Sequence, residues 1–145
     1  MKTILSVDDG EDDAFLLDRA FKQAQISCKL VTFPSAAEAK EYLSGTGPYA
    51  NRYDHPMPAA VLLDIKMPHY DGFHLLEWIR SQPEFNSIPV VVLSCSDASK
   101  DIERAYESGA NSYLVKPSNY QDLKNDLPLL MHYWLDLNHS PESSA

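Results

Sequence analysis

Hydrophobic and polar positions follow two rhythms along this chain, and the rhythms take turns. Short apolar runs stand at 3–7 (TILSV), 28–33 (CKLVTF), 59–64 (AAVLLD), 89–94 (PVVVLS) and 111–115 (NSYLV). They read as strands, and their near-continuous apolar character suits strands covered on both faces. Between them the apolar positions fall at helical spacing. Ala14, Leu17, Phe21 and Ala24 mark a helix over 11–25. Ser35 and Glu38 form an S-x-x-E capping box that opens a second helix, to about Leu43. Residues 72–81 (GFHLLEWIRS) predict a third helix and 98–108 a fourth, stopped by Gly109. A long last helix is predicted over 119–137, with Ser118 and Gln121 as a second capping box. Pro128 lies inside it, lacks an N–H, and predicts a kink or a late restart.

Five strand–helix pairs in succession predict an α/β fold, a parallel sheet with helices on both faces. Right-handed crossovers leave few topologies. A doubly wound sheet of this kind holds its ligand beyond the carboxyl ends of the strands. Residues 1–138 read as one domain and 139–145 as a flexible tail.

With 145 residues and 44% apolar composition, the chain has enough material for one folded core. The formal net charge of −9 makes nucleic acid a poor partner, because phosphate binding needs clustered Lys and Arg. Cys28 and Cys95 form no C-x-x-C motif, and read as two reduced thiols of a cytoplasmic protein. The apolar run in MKTILSVDD is too short for a signal peptide. No apolar stretch approaches the roughly 18 residues that suggest a membrane span.

The stretch SVDDGEDDAF, residues 6–15, crowds carboxylates at the first strand–helix junction. Glu11, Asp12 and Asp13 fall in the first helical turn, where the helix dipole favours negative charge. Asp8 and Asp9 instead end the first strand, and Asp64 ends the third. A parallel sheet brings those strand ends to one edge. Three carboxylates so placed repel one another and raise each other's pKa, and a divalent cation removes the conflict. All-oxygen ligands suit Mg²⁺. The fourth strand ends in Ser94, and the fifth leads into Lys116 and Pro117. Carboxylates, hydroxyl and lysine around one pocket suit a phosphoryl group. Lys116 and the cation neutralise its oxygens, Ser94 donates a hydrogen bond, and Asp64 is the nucleophile.

VDD at 7–9, LLDIKMPHYDG at 62–72, VVLS at 91–94 and YLVKP at 113–117 resemble the receiver domains of two-component response regulators. The resemblance runs from residue 3 to about 135. It implies a (βα)5 flavodoxin-like fold with strand order 2-1-3-4-5, and a histidine kinase or histidine phosphotransfer protein that phosphorylates Asp64. It further implies that Asp9 and Asp64 ligate Mg²⁺, that Asp8 acts largely through water, and that the Lys66 carbonyl adds a ligand. Ser94 takes the switch hydroxyl position, Tyr113 the aromatic that reorients with it, and Lys116 the phosphoryl contact. A cis Lys116–Pro117 bond is expected from the same resemblance. Cys95 and Lys66 depart from the usual pattern at their positions. The loop over 45–58 and the ending MHYWLDL resemble single-domain regulators, some partnered with phytochrome-type histidine kinases.

Other chemistries find little support. A calcium loop needs Asp or Asn at position 10, which is Gly. His55, His69, His74, His132 and His139 show no H-E-x-x-H pattern, and neither a G-x-S-x-G nor a Walker glycine loop is present. A phosphatase using an aspartyl phosphate would want a second Asp at position 66, which is Lys. A degenerate receiver that binds partners without phosphate would not need the full set of Asp8, Asp9, Asp64, Ser94 and Lys116. In the last helix Leu127, Leu130, Met131, Trp134 and Leu137 follow core spacing, while Leu129, Tyr133 and Leu135 fall on other faces. A helix apolar nearly all round predicts a homodimer interface there. The sequence therefore reads as a stand-alone receiver that signals through protein contacts or a phosphorelay.

Overall fold

The computed structural model describes residues 1–67 and 71–141. Five strands, β1 (Thr3–Val7), β2 (Lys29–Phe33), β3 (Ala60–Leu63), β4 (Val90–Ser94) and β5 (Ser112–Val115), form one parallel sheet in the order β2-β1-β3-β4-β5. Five helices alternate with them: α1 (Glu11–Gln23), α2 (Ala36–Ser44), α3 (Gly72–Ser81), α4 (Ser99–Glu107) and α5 (Tyr120–Met131). This is the flavodoxin-like (βα)5 topology that the sequence predicts. The order reverses at β1, whose neighbours are β2 and β3, so the carboxyl ends of β1 and β3 border the switch point.

The period of two along each strand divides the core into layers. Leu5, Val7, Val61, Leu63 and Val90 face Tyr42, Leu43, Leu75, Leu76 and Ile79 of α2 and α3. Ile4, Leu62, Val91 and Leu93 face Leu17 and Phe21 of α1 and Leu127 and Met131 of α5. All of these side chains are buried. At roughly 25 cal/mol per Å² of apolar area, such burial on both faces is the main force holding the sheet.

Helix ends follow local chemistry. The Ser35 hydroxyl accepts from the Glu38 N–H at 3.3 Å, as the capping box predicts. Gly109 closes the fourth helix at φ 107°, a conformation that L side chains rarely adopt. The last helix is capped by Asn119, whose Oδ1 accepts from the Asp122 N–H at 2.9 Å, and not by Ser118. Both are good caps, and the helix begins one residue later than the pattern suggests.

Pro128 neither stops nor restarts α5. The helix runs through it to Met131 and widens into a π-helical turn over His132–Leu137. In that wider turn a spacing of four keeps one face. Leu127, Met131 and Leu135 are therefore buried, and Leu137 is exposed, which reverses the expectation for Leu135 and Leu137. Lys2 Nζ donates to the Leu135 carbonyl at 2.5 Å and ties this turn to the start of β1.

The 45–58 loop is pinned rather than loose. Arg52 donates to the carbonyls of Tyr42, Leu43 and His55, and so caps the end of α2. Phe33, Tyr42, Tyr49 and His55 pack their rings edge to face or tilted beneath it, with centroids 5.3–6.0 Å apart. Residues 68–70 of the MPHYDG loop and 142–145 of the predicted tail lie outside the described residues.

Candidate functional site

The carboxyl ends of β1, β3 and β5 deliver Asp8, Asp9, Asp64 and Lys116 to one place. Asp8 and Asp9 follow β1, and Asp64 follows β3. The sheet hydrogen bonds continue past the strands, with the Asp8 N–H on the Phe33 carbonyl at 3.1 Å and the Asp64 N–H on the Val7 carbonyl at 3.0 Å. The backbone ladder thereby fixes where the carboxylates start. One oxygen from each of Asp8, Asp9 and Asp64 lies within 4.8 Å of the others.

Lys116 enters this cluster from the segment after β5. Its ammonium lies 2.7 Å from Asp8 Oδ2, 3.0 Å from Asp13 Oδ2 and 3.4 Å from Asp64 Oδ2. Burial opposes the charge, but hydrogen bonds to Asp8 and Asp13 and the fields of Asp64 and Asp8 outweigh it. The ammonium is thereby held above the ordinary lysine range. Asp64 sits in the opposite balance. Burial and the Asp8 charge push its carboxyl up, against the Lys66 N–H, at 3.0 Å from Asp64 Oδ1, and the Lys116 charge, and burial wins.

Four carboxylates against one ammonium leave negative charge uncompensated. Small separation, oxygen-only donors and surplus charge fit a divalent cation of the Mg²⁺ type. Beside the cluster opens a cavity of about 420 Å³, bordered by Asp8, Asp64, Cys95 and Lys116 and floored by Leu62 and Leu93. Cys95 is exposed, and its thiol belongs to the rim of that cavity.

Ser94 ends β4 fully buried, and its Oγ accepts from the Ser96 N–H at 3.2 Å. Tyr113 is half-buried, and its hydroxyl donates to the Ser96 carbonyl at 2.7 Å. Its ring packs beside Ile65, Phe73, Val92 and Ala105. The Lys116–Pro117 bond departs from expectation, because no cis peptide bond occurs among the described residues. Trans is the lower-energy form of an X–Pro bond by about 0.5–1 kcal/mol. The lysine also reaches its three carboxylates without the cis form, while its N–H pairs with the Ser94 carbonyl at 2.8 Å.

Three participants escaped the sequence reading. Asp13, read only as a helix-start charge, is a Lys116 partner across 103 positions. Gly72 opens α3 against the site, where an added Cβ would stand 2.4 Å from the Asp64 carbonyl oxygen and 2.5 Å from Ile65 Cα. Asp101 on α4 pairs with Lys66 at 3.3 Å. It also accepts from the Ser96 hydroxyl at 2.5 Å, and that bond and Lys66 hold its carboxyl below the ordinary range. For Gly72 the sequence did carry a signal, a glycine at a helix start beside a capping Asp71.

The chain belongs to the response regulator receiver domain family, whose model matches residues 4–127. Receiver domains of this family are phosphoacceptor signalling modules of two-component systems. Over 141 residues it is 36% identical to the probable methanogenesis regulatory protein FilR2 of Methanothrix harundinacea, covering 95% of this chain and 86% of that protein. The response regulator RPA3017 in red light signaling of R. palustris superimposes with a TM-score of 0.92 at 34% identity, over 98% of this chain and 99% of that one. The phosphorylated cyanobacterial phytochrome response regulator RcpA superimposes with a TM-score of 0.87 at 33% identity, over 97% and 99%.

Proposed function

We propose that Asp64 is the phosphoacceptor of an Mg²⁺-dependent switch, and that a sensor histidine kinase of the phytochrome type, or a histidine phosphotransfer protein, is the donor. The observation that carries this is the gathering of the Asp64 carboxylate with the Asp8 and Asp9 carboxylates and, at 3.4 Å, the Lys116 ammonium. A carboxylate oxygen of Asp64 attacks phosphorus, the P–N bond of the donor phosphohistidine breaks, and the imidazole leaves with the electron pair. Lys116 then pairs with a phosphoryl oxygen, and the Ser94 hydroxyl donates a hydrogen bond to another. Tyr113 follows as Ser94 moves, and the face of α4, β5 and α5 changes shape. Attack of water on phosphorus restores the Asp64 carboxylate and releases phosphate, so the chain takes part in both its charging and its discharge.

The cation would be held by Asp9, Asp64 and the Lys66 carbonyl, with Asp8 acting largely through water. When bound, it supplies positive charge to the phosphoryl oxygens. The phytochrome-type partner is supported by the likeness to RcpA and RPA3017, which are matched over 99% of their own lengths. That extent also supports a receiver over 1–138, with 139–145 as a tail. Two free thiols support the cytoplasm as its place. Among the described residues no helix is long and apolar enough to cross a membrane. Exposed Leu129, Tyr133 and Leu137 recur every four residues along the last helix and its π turn, which supports a second copy of this chain as the partner there.

The test is to weigh the intact protein after incubation with Mg²⁺ and acetyl phosphate. One phosphoryl adduct is expected, absent without Mg²⁺ and absent from Asp64→Asn. An adduct that persists in Asp64→Asn, or none with a competent donor, overturns the assignment.

A further inference from the structure

One residue outside the site holds three of its parts. Asp101 lies in the first turn of α4 and is only 8% exposed. A carboxylate there needs no burial to serve the helix dipole, and burying it costs free energy unless it is paired. It is paired twice. Oδ2 accepts from the Ser96 hydroxyl at 2.5 Å and meets Lys66 Nζ at 3.3 Å.

Each partner leads into the site. The Ser96 N–H donates to Ser94 Oγ at 3.2 Å, and the Ser96 carbonyl accepts from the Tyr113 hydroxyl at 2.7 Å. The Lys66 N–H donates to Asp64 Oδ1 at 3.0 Å. A single α4 carboxylate therefore ties the segment after β3 to the segment after β4. Asp64 stands in the first of those segments, and Ser94 ends the strand that leads into the second.

We propose that Asp101 is a positioning residue that latches Ser96 and Lys66, so that the switch hydroxyl engages a phosphoryl group on Asp64 only after this bridge yields. The proposal rests on the phosphoacceptor reading above and names a regulator of that same site. The hydroxyl of Ser94 is buried and accepts from the Ser96 N–H, so turning it toward Asp64 either breaks that bond or carries Ser96 with it. Asp101 fixes Ser96 through its side chain, and the bridge to Lys66 anchors both to the acceptor segment. Breaking the bridge lowers the barrier to charging without touching the reacting atoms.

The experiment follows phosphorylation of the full chain by acetyl phosphate and Mg²⁺, read by intact mass, in wild type, Asp101→Ala, Ser96→Ala and the double variant. Each single variant is expected to charge about 5-fold faster, the factor that ~1 kcal/mol supplies. The double variant is expected to be no faster than either single, because all three remove one latch. A merely structural residue would slow charging when lost, so a gain in rate separates positioning from folding. If Asp101→Ala fails to unfold cooperatively in urea, Lys66→Ala reads the bridge from its solvent-exposed end, and faster charging is again expected. Unchanged or slower charging in cooperatively folded variants, or rate gains that multiply in the double variant, overturns the latch. Absence of any adduct on wild type overturns the phosphoacceptor reading and the latch with it, and so is told apart from failure of the latch alone.

Discussion

Lys116 Nζ lies 2.7 Å from Asp8 Oδ2, joining residues 108 positions apart in a pair that bridges the ends of β5 and β1. The same ammonium reaches Asp64 at 3.4 Å. The lysine thus pairs with carboxylates that a divalent cation would also use, and the two positive charges would compete.

Lys116→Met tests that competition. Without the ammonium, Asp8 and Asp64 stand close and unpaired, and the cation-free protein is expected to lose about 1–3 kcal/mol of stability. Mg²⁺ should then bind about 10-fold more tightly, a gain of ~1.4 kcal/mol. Urea unfolding with and without Mg²⁺, with calorimetric titration, measures both. Weaker Mg²⁺ binding in the variant would rule out competition. The pH sign is defined too. The Lys116 pKa is raised in the fold, so its contribution is full below the unfolded value of about 10.4. It fades only as pH rises through the higher folded value.

Mg²⁺ should stabilise the wild type by mass action, by about 2.7 kcal/mol at 100 times its dissociation constant. Asp9→Asn removes one carboxylate of the cluster but no Lys116 contact. Its melting temperature is expected to be near wild type without Mg²⁺ and to rise much less with it. An equal Mg²⁺-induced rise in both proteins would place the cation elsewhere.

Gly72→Ala probes the approach of α3 to the site. The added Cβ would meet backbone atoms at 2.4 and 2.5 Å, and backbone cannot swing aside as a side chain can. The cost expected is about 1–3 kcal/mol in urea, with weaker Mg²⁺ binding because the Asp64 carbonyl shifts. Wild-type stability in this variant would show that the junction is free to relax.

The two thiols should react at different rates. Cys95 is exposed on the cavity rim, whereas burial pushes the Cys28 thiol above its ordinary pKa. Iodoacetamide near neutral pH should label Cys95 first, as peptide mapping would show. Labelled protein should then accept phosphate from acetyl phosphate more slowly. Faster labelling of Cys28 would contradict the burial described.

Leu129→Asp with Leu137→Asp places charge on the exposed stripe of the last helix and its π turn. A concentration-dependent dimer is expected for the wild type in sedimentation, and a monomer of unchanged melting temperature for the double variant. A wild type that stays monomeric at high micromolar concentration would remove this face as a homodimer interface.

Much of this protein was legible in one dimension. The apolar runs and helical spacings place all five strands and all five helices, because the period of two and the period of 3.6 are local properties of the backbone. The polar residues that interrupt strand ends, Asp8, Asp9, Asp64 and Ser94, together with Lys116 beyond β5, mark the site, since a parallel sheet sends every carboxyl end to one edge.

Tertiary structure alone decided the rest. No local pattern couples Asp13 to Lys116 across 103 positions, or aims Asp101 at Ser96 and Lys66. Ion pairs depend on distances in space, and sequence separation does not set them. The π turn after α5 exchanged the burial of Leu135 and Leu137, because a helix docked against a core yields its pitch to packing. The Lys116–Pro117 bond is trans, and the lysine still reaches its carboxylates through its long side chain. Element type follows from neighbours in the chain, whereas pairing, burial and the final turn of a helix follow from what the folded chain brings alongside.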